Sequence, residues 1–151
     1  MHHIPKPVST RICIIRHGET DWNVEKRIQG HTDVPLNEVG RAQALAMAFN
    51  AAHQRFDAIY SSDLARTLET ARVLAQREDQ EVKLLPQLRE RHYGVFQGIT
   101  AAQGAELYPV AYAHYMARDL DYDFETGESL RQFAERVADG SCAIAGADYR
   151  L

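Results

Sequence analysis

The sequence has little of several features that mark specialised classes of protein. Cys13 and Cys142 are its two cysteines, and they lie too far apart for any metal-ligand spacing. Cys13 stands in an apolar run, which favours an inert buried thiol. No apolar stretch approaches the ~18 residues that a membrane span needs, and the N-terminus lacks the apolar core of a signal peptide. We therefore expect a soluble cytoplasmic protein with no metal and no membrane partner.

Positive charge is also in short supply. The chain has 17 Lys and Arg residues against 21 Asp and Glu, and the basic residues are scattered singly. Nucleic acids and anionic membranes select a basic face, so neither is an expected partner. The chain has 151 residues, of which 45% are apolar, and this is enough for the hydrophobic core of one domain. We expect a flexible leader over residues 1–9 and a single domain over residues 10–151.

Short apolar runs alternate with helical patterns along the chain. Residues 10–15 are rich in isoleucine and predict a strand buried on both faces. Asn37 is a candidate helix N-cap, and further strands are predicted over residues 57–61 and 82–85, on either side of a helix over 64–75. This alternation predicts an α/β fold with a mostly parallel sheet.

The second half of the chain has a weaker pattern. The glycine-containing stretch from 90 to 104 predicts a loop, with helical segments near 101–107 and 110–117. Ser129 and Gln132 have the spacing of a capping box and predict the start of another helix. Beyond Gly140 the helical pattern fades.

Four chemically active residues follow the predicted strands. Arg16 and His17 end the first strand, Arg66 opens the helix after the second, and Glu90 lies just past the third. Ligands bind beyond the carboxyl ends of parallel strands, so these side chains are expected at one edge of the sheet. Two guanidiniums, an imidazole and a carboxyl group together favour a site for a phosphate monoester.

Each residue type has a chemical reason to be there. Arginine binds phosphate oxygens bidentately, and nearby cations keep His17 neutral and nucleophilic. Glu90 is suited to donate the proton that a leaving alkoxide needs, and Gly18 would let backbone amides approach the phosphate. Ordinary interpretations also exist: Arg66 could be a solvated residue that pairs with Glu69, and His17 and Glu90 could be surface residues.

Several segments resemble the histidine phosphatase superfamily, the phosphoglycerate mutase-like family. The sequence Arg-His-Gly-Glu-Thr at 16–20, followed by Trp-Asn, is similar to its signature. Further resemblances occur at 29–36, at 61–71, at 88–98 and at Gly-Glu-Ser 127–129. They cover roughly residues 10–137 in the family's order. The resemblance implies a three-layer α/β fold with a mostly parallel central sheet, lacking its C-terminal part.

The resemblance also implies roles for individual residues. His17 would be the phospho-accepting nucleophile, Arg16 and Arg66 would clamp the phosphoryl group, and Glu90 would be the proton donor. Further positions that would line the pocket and bind substrate are Thr20, Asn23, Gln29, Gly30 and Tyr93. The implied reaction is hydrolysis of a small phosphorylated metabolite through phosphohistidine, without a metal or organic cofactor.

Phosphatase and mutase activity remain alternatives, with phosphatase favoured. The 90–98 loop resembles the cofactor-dependent phosphoglycerate mutases. Mutases of that type, however, follow this loop with a lysine and later an arginine pair that hold the substrate carboxylate. Here Gly98 is followed by Ile-Thr-Ala-Ala, and Arg118 has acidic neighbours.

The family's second catalytic histidine has no counterpart, since the last histidine is His114. In the family this histidine follows a strand that pairs beside the first one. We therefore expect a domain that is C-terminally incomplete, or one that recruits a strand from a second copy in a homodimer. A phosphate-binding but catalytically impaired domain is thus a further alternative.

Overall fold

The computed structural model describes residues 10–146. The predicted leader, residues 1–9, lies outside the described residues, as do residues 147–151. The described part contains six α-helices and a two-stranded parallel sheet. This combination agrees with the predicted α/β class.

The first two helices begin at polar caps. Helix α1 (Asp21–Val24) starts after Thr20, which forms a reciprocal capping box with Asn23. Helix α2 (Glu38–Asn50) starts at the predicted cap Asn37, whose side chain accepts a hydrogen bond from the Gly40 amide at 2.8 Å. These bonds satisfy amides that the first turn of a helix leaves unpaired.

A β-α-β unit follows. Strand β1 (Ile59–Ser61) leads into helix α3 (Ala65–Glu78), and strand β2 (Val82–Leu84) returns parallel to β1. Ile59 lies opposite Val82 in this register. Both strands fall within the predicted ranges, and the parallel pairing is confirmed. Ile59 and three residues of α2 and α3 form one apolar core: Ala48, Leu74 and Ala75.

The predicted first strand is wrong. Residues 10–20 have no regular secondary structure, Ile14 is 91% exposed and Cys13 is exposed too. A strand is held by hydrogen bonds to a neighbouring strand, and within residues 10–146 strands pair only between β1 and β2. The apolar run therefore has nothing to pair with here, and Cys13 is not the buried thiol that the run suggested.

Three helices form the rest of the described chain. They are α4 (Ala101–Leu107), α5 (Pro109–Ala117) and α6 (Leu130–Ala145). Pro109 opens α5, because its fixed φ suits a first helical turn. Ser129 and Gln132 form the predicted capping box, and α6 continues beyond the point where its pattern fades.

A second core gathers the aromatic residues of this half. Phe96, Ala111 and Phe124 are its buried members. The tyrosines packed against them are Tyr93, Tyr108, Tyr112, Tyr115 and Tyr122. Arg91 lies against this core, with its guanidinium carbon 4.8 Å from the centre of the Phe124 ring. The core fixes the segment that follows β2, which carries Glu90.

Candidate active site

Two glycines set the path of the chain around His17. A Cβ atom on Gly18 would lie 2.3 Å from the Gly40 carbonyl oxygen, and one on Gly40 would lie 2.0 Å from the Glu19 carbonyl oxygen. Neither position therefore has room for a side chain. The Gly18 amide donates to Thr70 Oγ1 of α3 at 3.1 Å. Gly18 thus admits the backbone of α2, and it also lines the cleft beside His17.

The imidazole of His17 is held in one tautomer. Its Nδ1 lies 2.7 Å from the Gly18 carbonyl oxygen, which can only accept, so Nδ1 carries the proton. Burial is the largest effect on the pKa of His17 and lowers it, and the charges of Arg66 and Arg16 lower it further. The hydrogen bond to Gly18 and the charge of Glu90 act in the opposite direction, but the net pKa lies below the ordinary value. The side chain is therefore neutral at pH 7, with the lone pair on Nε2 available.

Arg66 is a buried cation with an unused donor. Its Nη1 donates to the Thr32 carbonyl at 2.9 Å and its Nη2 to the Gly30 carbonyl at 2.7 Å. Its Nε is buried and has no hydrogen-bond partner among the described residues. Burial lowers the pKa of Arg66, against the charges of Glu90 and Asp33. An arginine is nevertheless charged at any physiological pH, so a positive N–H donor remains for an anion.

The alternative interpretation of Arg66 is wrong. Its side chain is 1% exposed, so it is not a solvated helix residue. Glu69 instead lies 3.7 Å from Arg41.

An open cleft of about 430 Å³ lies over the histidine, and Arg16 and His17 are among the residues that line it. Glu90 lies close enough for its charge to act on both His17 and Arg66. Its Oε1 accepts a hydrogen bond from the Arg91 amide at 2.8 Å. The structure thus brings together the four residues proposed from sequence for catalysis.

The five proposed substrate-binding residues divide into two groups. Asn23 lines the cleft. Thr20 is fully buried, and its hydroxyl donates to Gln29 Oε1 at 3.0 Å. Gly30 has a φ of 52° and accepts from Arg66 through its carbonyl. Thr20 and Gln29 thus hold each other in place, and Gly30 holds Arg66.

Tyr93 belongs mainly to the aromatic core. Its ring lies edge-on to Tyr115 and Phe124, with centroid distances of 6.2 and 5.7 Å. Burial raises the pKa of Tyr93, as do the nearby Glu90 and Tyr115, against the charge of Arg91. The phenol therefore stays protonated at neutral pH.

Sequence reasoning missed two groups that support the site. Thr70 fixes the Gly18 amide, and the Arg136–Glu128 ion pair lies against the segment that carries Glu90. Glu128 stands in the Gly-Glu-Ser segment, which was noted only as a helix start. Arg136 had no signal of its own, because its partners lie up to 49 positions away.

Two classes of feature are absent from residues 10–146. No helix in this range is both long and apolar enough to cross a membrane. Among these same residues no cluster of three His, Cys, Asp or Glu side chains is placed to hold a metal ion.

Comparison with known proteins decides the family. The model of the histidine phosphatase superfamily (branch 1) matches residues 12–149. The chain belongs to this superfamily. Its similarity to a metal-independent phosphoserine phosphatase of Arabidopsis thaliana is 42% identity over 139 residues, covering 90% of the chain and 58% of the relative. A phosphoglycerate mutase-like protein 4 of the same plant is 41% identical over 128 residues, with 83% and 56% covered.

Solved histidine phosphatases share the fold. A mycobacterial glucosyl-3-phosphoglycerate phosphatase solved with VO3 superimposes with a TM-score of 0.76 at 35% identity, covering 88% of this chain and 67% of that one. The predicted family and its α/β fold are therefore confirmed. The chain spans a little over half the length of the two curated relatives, 56% and 58%.

Proposed function

We propose that this histidine phosphatase hydrolyses small phosphate monoesters through a phosphohistidine on His17. The observation that carries the proposal is the proximity of two complementary groups, since the charge of Arg66 acts on His17. His17 presents the lone pair of Nε2 because its Nδ1 donates to a carbonyl and burial keeps the ring neutral, and Arg66 has a buried Nε–H with no partner within residues 10–146. One group can attack phosphorus, and the other can bind a phosphate oxygen.

In the first step Nε2 of His17 attacks the phosphorus atom as the bond to the ester oxygen breaks. The free Nε–H of Arg66 and the exposed guanidinium of Arg16 stabilise the charge on the transferring phosphoryl oxygens. The Nδ1–H bond to Gly18 stabilises the positive charge that the ring acquires. The product is a phosphohistidine and a free alcohol.

Glu90 is the proposed proton donor to the leaving oxygen. Glu90 is exposed on the segment after β2, and its charge acts on His17. In the second step water attacks the phosphohistidine, and the Glu90 carboxylate takes a proton from this water. Inorganic phosphate leaves, and both residues return to their starting states. The cycle needs no metal or organic cofactor.

Phosphoglycerate mutase activity is the alternative, supported by the similarity to a mutase-like relative. Phosphatase activity is favoured because Gly98 is not followed by a lysine and Arg118 has acidic neighbours in place of a second arginine. Asp119, beside Arg118, pairs instead with Nδ1 of His114 at 2.7 Å. A chain that binds phosphate without turning it over is the second alternative.

The test is an assay with 4-nitrophenyl phosphate, combined with detection of acid-labile phosphate on His17 by mass spectrometry. We expect His17→Ala to abolish both signals. His53→Ala is the matched control. His53 is exposed at the end of a short helical turn that is remote in sequence from His17. Vanadate binding without any turnover or phosphohistidine would favour the impaired domain. Conversion of 2- to 3-phosphoglycerate faster than hydrolysis would favour the mutase.

Self-association is a further part of this proposal. Ile12 and Ile14 are 50% and 91% exposed in a segment without a neighbouring strand, and a second copy could cover them in a homodimer. Size-exclusion chromatography with light scattering at several concentrations tests this. A monomer at every concentration would contradict it. Cytoplasmic location stays a prediction from sequence.

A further inference from the structure

Arg136 of α6 makes an unusual set of contacts. Its Nε and Nη2 bind the Glu128 carboxylate at 2.6 and 2.7 Å. Its remaining hydrogen bonds go to backbone carbonyls of Gln87, Arg89 and Glu90, at 2.8, 3.1 and 3.2 Å. The side chain is only 21% exposed. A single guanidinium thus joins α6 to the segment that ends in the proposed proton donor.

The Glu90 backbone is held from a second side. Nε2 of His31 donates to the Glu90 carbonyl at 2.9 Å. Glu128 extends the same network, since its Oε2 accepts from the His92 amide at 3.0 Å and its carbonyl accepts from Arg91 Nε at 2.8 Å. By contrast, within residues 10–146 the side chain of Glu90 itself has one hydrogen bond, from the Arg91 amide. The position of its carboxyl group therefore depends on the position of its backbone.

We propose that Arg136 is a positioning residue for Glu90. The inference rests on the proposed function, in which Glu90 protonates the leaving oxygen. Arg136 has no role in binding phosphate, because its donors are directed at Glu128 and at three backbone carbonyls. Its effect on the reaction is confined to the steps in which Glu90 transfers a proton.

A merely structural role makes a different prediction. If Arg136 only stabilised the fold, its loss would slow all substrates alike. If it positions the acid, its loss slows esters with poor leaving groups, because those depend on proton donation. The formation of phosphohistidine from aryl phosphates with good leaving groups is then nearly unaffected.

The experiment compares Arg136→Met with Arg131→Met in the full chain. Arg131 is the matched control, since it lies on the same helix and pairs with Asp121 in an exposed ion pair, at 57% and 69% exposure. For phenyl phosphate we expect Arg136→Met to lower kcat/KM, which reports the reaction up to the formation of phosphohistidine, by ~10- to ~100-fold, the size of effect that misplacing a group by about 1 Å produces. For 4-nitrophenyl phosphate we expect kcat/KM to change by less than ~3-fold, because its leaving group needs little proton donation.

A double-mutant cycle with Glu90→Gln isolates the coupling. Once the acid is gone, Arg136→Met should cause no further loss on phenyl phosphate. Arg136→Lys keeps the charge with fewer donors and should restore part of the rate. Losses that multiply in the double variant, or that are equal for both esters, would overturn the proposal.

Hydrogen–deuterium exchange supplies a readout that does not need turnover. The amides of Leu88, Arg89 and Arg91 are bonded within this segment, so peptides over residues 86–92 should exchange faster in Arg136→Met than in Arg131→Met. Unchanged exchange would refute the positioning role whatever the activity. If the wild-type chain forms no phosphohistidine, the proposed function fails, and the exchange result alone decides the placement of this segment.

Discussion

Replacing Thr70 with valine tests how α3 holds the nucleophile. Thr70 is 5% exposed, and its hydroxyl accepts from the Gly18 amide at 3.1 Å while it donates to the Arg66 carbonyl at 2.8 Å. Valine keeps the shape of the side chain and removes both bonds. The Arg66 carbonyl remains in the helical hydrogen-bond ladder, so the Gly18 amide is the group left unpaired.

The expected loss follows from that single buried amide. An unsatisfied buried donor destabilises a protein by about 1–3 kcal/mol. In a chain of this size each kcal/mol lowers Tm by about 2–4 °C, so Thr70→Val should melt about 2–12 °C below wild type. The Gly18 carbonyl also fixes His17 Nδ1, so a looser Gly18 should reduce kcat for phosphate ester hydrolysis as well, by up to ~10-fold.

Thermal melting followed by circular dichroism measures the first effect, and the aryl phosphate assay measures the second. Thr70→Ser is the matched control. It keeps the hydroxyl and loses one methyl group, worth about 0.8 kcal/mol. A valine variant as stable as wild type, or a serine variant as damaged as the valine one, would refute the reasoning.

Three further predictions concern the same region. In an NMR titration His17 should lose its charge below its ordinary pKa of 6.5; a midpoint at or above that value would contradict the effect of its burial. Gly40→Ala should destabilise the chain by about 1–3 kcal/mol or more, because its new methyl group meets the Glu19 backbone; wild-type unfolding in urea would show that the loop simply shifts.

The third prediction concerns the stability of the folded chain at low pH. Burial alone would raise the pKa of Glu128, but the bonds from Arg136 and the His92 amide lower it below the ordinary 4.5. Its stabilisation is thus present above pH 4.5 and lost as the pH falls through the folded value. The difference in unfolding free energy between wild type and Arg136→Met should therefore shrink in acid. A difference that does not change with pH would contradict a stabilising role of the Arg136–Glu128 ion pair.

The elements that sequence predicted well are those with local signals. Asn37 and Ser129 mark helix starts through bonds that span three residues, and both helices begin there. The strand at residues 10–15 failed because a strand depends on a distant partner that composition cannot reveal. The motifs named the candidate residues of the site, whereas the residues that support them carried no such signal. Thr70 is 52 positions from Gly18, and Arg136 is 46 from Glu90.

The Nε–H of Arg66, which has no partner within residues 10–146, would couple the binding of an oxyanion to the stability of the folded chain. A buried charged donor without a partner destabilises the anion-free protein, and an oxyanion that binds it removes this penalty. A ligand that binds only the folded state stabilises it by about 2.7 kcal/mol at a hundred times its Kd. If phosphate binds Arg66 as proposed, the free energy of unfolding should therefore be higher in phosphate buffer than in chloride at the same ionic strength.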